Sequence, residues 1–206
     1  MKLIDVHAHL KKLGVPVFQT ADAMAYLNIK KDHASKLLAR LEDSGHIVRV
    51  KRGLWVFPER LDPLALPEYL TAPFPSYISM QSALYYHGMI SQIPAITYSV
   101  SLARTRIFKT PLGIFSIHHM NPSFFFGYEQ VGKYGIKMAV PEKALLDFLY
   151  MSPAKSKLFR SLPELELPRK FNGRRMCQMI KRIGSAGRRT LVEKQFQELM
   201  TKVKKS

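Results

Sequence analysis

Eight basic or imidazole side chains stand close together near the start of the sequence: Lys30, Lys31, His33, Lys36 and Arg40, followed by Arg49, Lys51 and Arg52. Their shared chemistry is donation to anionic oxygens and to the acceptor edges of bases, without making or breaking bonds. A second group, Arg174, Arg175, Lys181, Arg182, Arg188 and Arg189, crowds the other end of the chain. It offers charge without an evident reading pattern, which suits contacts to phosphate that add affinity rather than sequence choice.

Catalysis needs convergent groups, and the remaining candidates do not converge. His7 and His9 are two apart on a predicted helix and point in different directions, which disfavours a shared metal. His118 and His119 are adjacent on a predicted strand and face opposite sides. Glu142 and Asp147 are five apart on a predicted helix, Glu142 suiting the helix amino end and Asp147 a local hydrogen bond. Phosphate-cradling glycine loops, zinc-ligand spacings and nucleophile elbows are all lacking. The reading is therefore non-enzymatic, with no catalytic residue, metal or cofactor. Tyr85, Tyr86, Phe124, Phe125 and Phe126 could stack on unpaired bases, but they are not interleaved with cations, so core packing is the expectation.

The basic residues need elements to hold them. Ala34, Leu37, Leu38 and Leu41 recur at i, i+3, i+4 and i+7, which defines a helix with one buried stripe and His33, Lys36 and Arg40 away from it. Gly45 ends that helix, and Ile47, Val48 and Val50 begin a strand. Lys51, Arg52 and Gly53 make the turn, and residues 54–57 return as a second strand. Upstream, Leu3, Val6, Leu10 and Leu13 predict a first helix closed by Gly14 and Pro16, and Val17 and Phe18 a short extended piece. Thr20 is the expected N-cap of a second helix running to Leu27, and Asn28 a left-handed corner. Lys30 stands where a Ser or Thr cap is common, and Asp32 fits an interaction with the helix amino end better than a base contact.

Helix, turn, helix and hairpin in this order predict a winged helix-turn-helix. Its third helix would enter the major groove and its wing would meet the backbone or minor groove. The bland alternative is a helix and hairpin whose charges merely face water.

The totals agree with a polyanionic partner. The 206 residues carry a formal charge of +17 with an ordinary apolar fraction of 47%. Residues 1–60 hold eleven basic and six acidic residues, 61–150 six and five, and 151–206 fifteen and four, so the excess lies at the ends. One cysteine, Cys177, excludes an intramolecular disulfide and a thiolate metal site, which fits a reducing cytoplasm. No apolar run reaches the roughly 18 residues of a membrane span, and no secretory leader is evident. The expectation is a cytoplasmic protein without a membrane partner.

Prolines 58, 63, 67, 73 and 75 mark a linker over residues 59–75, with short helical turns possible around 64–70. Beyond it, Ser79 is the expected cap of a short helix carrying Met80, Ala83, Leu84 and His87 and ending at Gly88. Strands are expected at ITYSVSL, at 104–108, at 114–120 and at 136–140. Pro141 then opens a helix with Ala144, Leu145, Phe148 and Leu149 inward. The segment SLPELELP leads to two basic helices, one with Met176, Met179, Ile180 and Ile183 and one with Val192, Phe196, Leu199 and Val203.

The sequence also resembles a known family. Its RGLWVFP, YISMQSALYYHGMISQIP, TPLGIF and MAVPEKALLDFLY are similar to stretches of the AbiEi antitoxins and related transcriptional regulators of type IV toxin-antitoxin systems, over about residues 16–150. The Ser82 to Gly88 stretch and the Pro141 to Asp147 block are its most specific parts. The resemblance implies a winged helix that binds inverted repeats in its own promoter and represses it. It also implies a remainder that counteracts a nucleotidyltransferase-like toxin without a stable complex, and it brings no catalytic residues. Solitary regulators without a toxin share the pattern.

The expected fold is thus α+β: a winged helix-turn-helix over 1–58, a Pro-rich linker over 59–75, and a mixed α+β antitoxin-like domain over 76–206 with a basic helical part from about 169. The expected partner is operator double-stranded DNA. RNA binding through the basic carboxy-terminal helices is the alternative.

Overall fold

The computed structural model describes residues 3–152 and 165–203. Part of the SLPELELP segment, residues 161–164, lies outside them. The chain is α+β and begins with α1 (Leu3–Lys11), β1 (Val17–Gln19), α2 (Thr20–Leu27), α3 (Lys31–Asp43), β2 (Val48–Lys51) and β3 (Leu54–Val56). The three strands pair antiparallel in the order β1-β3-β2, which is winged helix-turn-helix topology.

Period-two alternation divides this small sheet between two cores. Phe18, Trp55 and Phe57 face the helices with Val6, Leu10, Ala23, Leu37, Leu38 and Leu41. Val17, Val50, Leu54 and Val56 face the other way, into a cluster with Leu61, Leu66, Leu70, Phe115 and Ile117. The run LWVF lacks the polar alternation of an exposed wing because both of its faces are covered.

Residues 58–71 form 3-10 turns at Pro58–Arg60 and Pro63–Ala65 and then α4 (Leu66–Thr71), with Leu61, Leu66, Pro67 and Leu70 buried. This stretch is packed between the two sheets rather than extended as a spacer. The second sheet contains β4 (Ser76–Ile78), β5 (Thr97–Ser101), β6 (Arg106–Thr110), β7 (Gly113–His119), β8 (Tyr128–Val131) and β9 (Ile136–Ala139), in the order β6-β7-β5-β4-β9-β8. β4 with β9 and β5 with β7 are parallel, and the other neighbours are antiparallel. Helices α5 (Met80–Tyr86), α6 (Pro141–Met151), α7 (Gly173–Lys181) and α8 (Ala186–Val203) pack with Tyr77, Tyr98 and Val100 in the main core. Four layers result: helices, wing sheet, large sheet, helices.

Most elements lie where periodicity put them, and the differences have local causes. Gln19, not Thr20, is the N-cap of α2, and its amide donates to Asp22 Oδ2 at 2.7 Å. The Thr20 hydroxyl instead accepts from the indole N–H of Trp55 at 2.9 Å. The Ser79 hydroxyl does not cap α5 either; it donates to Asp147 at 2.7 Å. Lys51 belongs to β2 and pairs with Leu54, leaving Arg52 and Gly53 as the turn. Strands β4 and β8, with three and four residues, were not expected from the pattern.

Candidate nucleic-acid interface

Helix α3 is built to present one face. Ala34, Leu37, Leu38 and Leu41 are buried, and Lys30, Lys31, His33, Lys36 and Arg40 are exposed. His33, Lys36 and Arg40, spaced by three and four, share one side of the helix. Lys30 is the N-cap residue, extended at φ −69° and ψ 155°, without a side-chain cap bond. Lys30 and Lys31 are both exposed at this amino end of the helix. Asn28 at φ 50° turns the chain between α2 and α3. At the other end, the amides of Gly45 and His46 donate to the carbonyls of Glu42 and Leu41 at 2.8 and 2.9 Å, with Gly45 at φ 73°. That double bond is the Schellman arrangement, and it fixes the angle at which the wing leaves the helix.

The wing residues divide three ways. Arg49 lies across the Trp55 ring, 5.8 Å from its centroid, with its Nε 3.9 Å from Glu42. Arg52, at the hairpin tip, is exposed and has no acidic partner among the described residues. Lys51 turns toward α4, where its ammonium donates to the Leu70 carbonyl at 3.0 Å. Burial and the neighbouring Arg106 guanidinium both push its pKa below the usual lysine range. Trp55, which sequence reasoning did not single out, organises this region. It anchors the wing to Thr20 and supplies the surface on which Arg49 rests.

The carboxy-terminal cations are less free than their number suggests. Arg188 donates to the Tyr150 carbonyl at 2.9 Å and lies over that ring. Arg182 stacks on Phe126 with its Cζ 3.5 Å from the centroid, Arg189 reaches the Ile183 carbonyl at 3.5 Å, and Arg175 lies 4.0 Å from Glu142. Arg174 and Lys181 on α7 are exposed and make no such contacts among the described residues.

The Pro141 block is interior. Glu142, Lys143 and Asp147 are all buried, and Asp147 accepts from Tyr77, Ser79 and Lys143. The Lys143 ammonium also lies 4.1 Å from the Phe124 centroid and 4.7 Å from that of Phe126. Glu142 accepts from the Asn172 amide at 2.6 Å, tying α6 to the start of α7. Asp147 thus joins distant elements and does more than the local bond expected of it. Phe124 and its neighbours pack as expected, whereas Tyr85 and Tyr86 are exposed. No group of three or more His, Cys, Asp or Glu residues suited to a metal occurs among the described residues, and none of their helices is long and apolar enough to cross a membrane.

Residues 10–58 match a protein-family model described as Transcriptional regulator, AbiEi antitoxin. That span runs from the end of α1 through the wing, so the amino-terminal unit is an AbiEi antitoxin/transcriptional-regulator domain. The large sheet and its helices lie beyond the match. No curated protein matches the chain.

Proposed function

We propose that the protein is a sequence-specific, double-stranded DNA-binding repressor and a type IV antitoxin. It acts on inverted repeats ahead of its own operon and counteracts a nucleotidyltransferase-like toxin without forming a stable complex with it. The observation that carries the DNA reading is the row of exposed cations on α3, set against a buried stripe and beside the Arg52 tip. A helix of this kind can place its first turns at base edges while phosphates hold the flanks. Lys30, Lys31, His33, Lys36 and Arg40 carry base and phosphate contacts in this reading, and Arg49 and Arg52 carry phosphate contacts. Lys51 contributes its charge from behind, through its bond to Leu70. Arg174 and Lys181 form the sequence-independent contact on α7, with Arg175, Arg182, Arg188 and Arg189 adding field from positions fixed by their own interactions.

The protein has no catalytic role in this proposal. A gel shift with the DNA upstream of its own gene, against random duplex at moderate salt, tests the repressor reading. Equal affinity for both would remove it. Co-expression of residues 59–206 with an adjacent toxin tests the second half. Rescue by the folded fragment supports a division of labour, and failure moves neutralisation into the winged helix. Size exclusion of toxin with the full chain should show no stable complex; a co-eluting pair would replace the type IV reading by direct sequestration.

A further inference from the structure

Two exposed carboxylates, Asp32 and Asp43, stand among the cations on the outward side of α3. Successive residues of a helix turn by about 100°. Ala34, Leu37, Leu38 and Leu41 therefore gather on one buried stripe, and Asp32 and Asp43 lie about 170° from its middle, with Lys36 and Ala39 at about 150°. His33 and Arg40 fall at about 90° and 110°, on one flank. The middle of the surface that α3 turns away from the core is thus the row Asp32, Lys36, Ala39 and Asp43, all four exposed, and half of it is acidic.

Asp32 has a local explanation to hand, since a carboxylate in the first turn suits the amino end of a helix. Carboxylates that serve helix starts elsewhere in the chain do so through bonds: Asp22 accepts from the Gln19 amide at 2.7 Å, and Asp62 from the Leu64 amide at 2.9 Å. Asp32 accepts no hydrogen bond and forms no ion pair among the described residues, and the start of α3 has no side-chain cap. The helix dipole acts on an acidic residue anywhere in the first turn, so it does not account for a place at the centre of the outward face. Facing a polyanion, that place works against binding, because the carboxylate repels phosphate.

We infer that Asp32 is a specificity-determining residue: it accepts a hydrogen bond from the exocyclic amine of a cytosine in the major groove and so selects a C·G pair at one position of each half-site. The inference rests on the DNA reading above. A carboxylate only accepts, so guanine with its two acceptors and thymine with its carbonyl repel it. Adenine offers an amine, but its N7 acceptor lies beside that amine and opposes the second carboxylate oxygen. Cytosine presents its amine with no acceptor on the same base edge. Asp32 lies in the first turn, the part of a recognition helix that reaches base edges, whereas Asp43 is eleven residues on, about 16 Å along the axis. Lys36, one turn on in the same row, has the complementary chemistry for a guanine edge. Repulsion from every duplex, relieved only where a donor meets the carboxylate, raises selectivity while lowering affinity for all other DNA.

The experiment uses the full chain and the duplex upstream of its own gene, with the single-base-pair variants of that duplex and a random duplex as competitors. It compares wild type, D32N, D32A and D43A. Wild type should lose about 5- to 150-fold in affinity when one particular C·G pair is changed. D32N should move the preference at that pair from cytosine to adenine, because an Asn amide pairs bidentately with adenine N6 and N7. It matches Asp in shape and keeps the test open if D32A misfolds. D32A should accept all four pairs alike at that position and bind the random duplex more tightly than wild type does, since a repulsive charge is gone. D43A removes the same charge from the far end of the row and should keep every wild-type base preference. Wild-type preferences retained at every position in D32N and D32A, with only a lowered thermal midpoint, would make Asp32 structural and overturn the inference; a loss of preference in D43A equal to that in D32A would overturn it as well. Either result leaves the winged-helix reading in place. Wild-type protein that does not prefer the upstream duplex to the random one removes both.

Discussion

Lys51, on the last residue of β2, donates from its ammonium to the carbonyl of Leu70 at 3.0 Å, so the wing is fastened to α4 rather than free in solvent. The bond adds to an apolar seam in which Val17, Val50, Leu54 and Val56 are buried against Leu66, Leu70, Phe115 and Ile117. Fully burying one such side chain is worth about 1.5 to 3 kcal/mol, more than the one partly buried hydrogen bond contributes. Lys51→Met keeps the stem and removes the ammonium. It should cost about 1 kcal/mol in urea denaturation and leave a single cooperative transition. Two separate transitions would show that Lys51, not the seam, holds the halves together.

Helix and tip should differ in what they lose. Arg52→Ala should weaken binding to cognate and random duplexes alike, because a hairpin-tip guanidinium meets phosphate. Lys36→Ala should also relax preference at one base pair, by about 1 to 3 kcal/mol if its partner is a guanine edge. Competition assays over single-base operator variants measure this, and a uniform loss for Lys36→Ala would restrict that lysine to phosphate.

The legible part of the fold was the part with strong local period. Helix α3 announces itself through Leu37, Leu38 and Leu41, and α6 through Pro141 and the apolar run after it. Strand β4 is central in the large sheet yet only three residues long, too short for alternation to register, and its Tyr77 and Ser79 flank reads as a helix entry. The fates of Thr20 and Ser79 were not legible because their hydroxyls are claimed by Trp55 and Asp147, 35 and 68 residues away. Candidate cations could be found from sequence, since exposure follows from helical spacing. Their availability could not, because Lys51, Arg182 and Arg188 are engaged by groups that only the tertiary fold brings near.

The winged helix should lose stability in mild acid through His7. Its ring stacks on His46 with centroids 4.6 Å apart and lies near Phe57, and burial, then Lys11 and His46, lower its pKa from the ordinary 6.5 against a weaker opposing pull from Glu59. With the folded value below the unfolded one, the unfolded chain takes up the proton first as pH falls. The stability contribution is complete above about pH 6.5 and declines below it, until the folded His7 is itself protonated. His7→Phe retains a ring for His46 to stack on and cannot titrate. Thermal midpoints measured at pH 8 and pH 5.5 should differ less in that variant than in wild type, and an equal difference would exclude His7 as the cause.

The buried pair Lys143 and Asp147 should be more costly to halve than to remove. Asp147 is the common acceptor for Tyr77, Ser79 and Lys143, and it joins β4, the start of α5 and α6 in the main core. Asp147→Ala leaves the Lys143 ammonium buried without its carboxylate and two hydroxyls without their acceptor, at a cost of about 3 to 5 kcal/mol. Burial already pulls the Lys143 pKa down against the attraction of Asp147, so the variant lysine should shed its proton more readily. The rings of Phe124 and Phe126 offset only part of the loss, since they stabilise the cation without accepting its protons in strong bonds. Replacing both partners by Met and Leu removes the unpaired charge and should be less damaging than Asp147→Ala alone, although Tyr77 and Ser79 still lack their acceptor. Urea denaturation of Lys143→Met, Asp147→Leu and the double variant measures the coupling directly, and additive losses would mean that the pair contributes no interaction of its own.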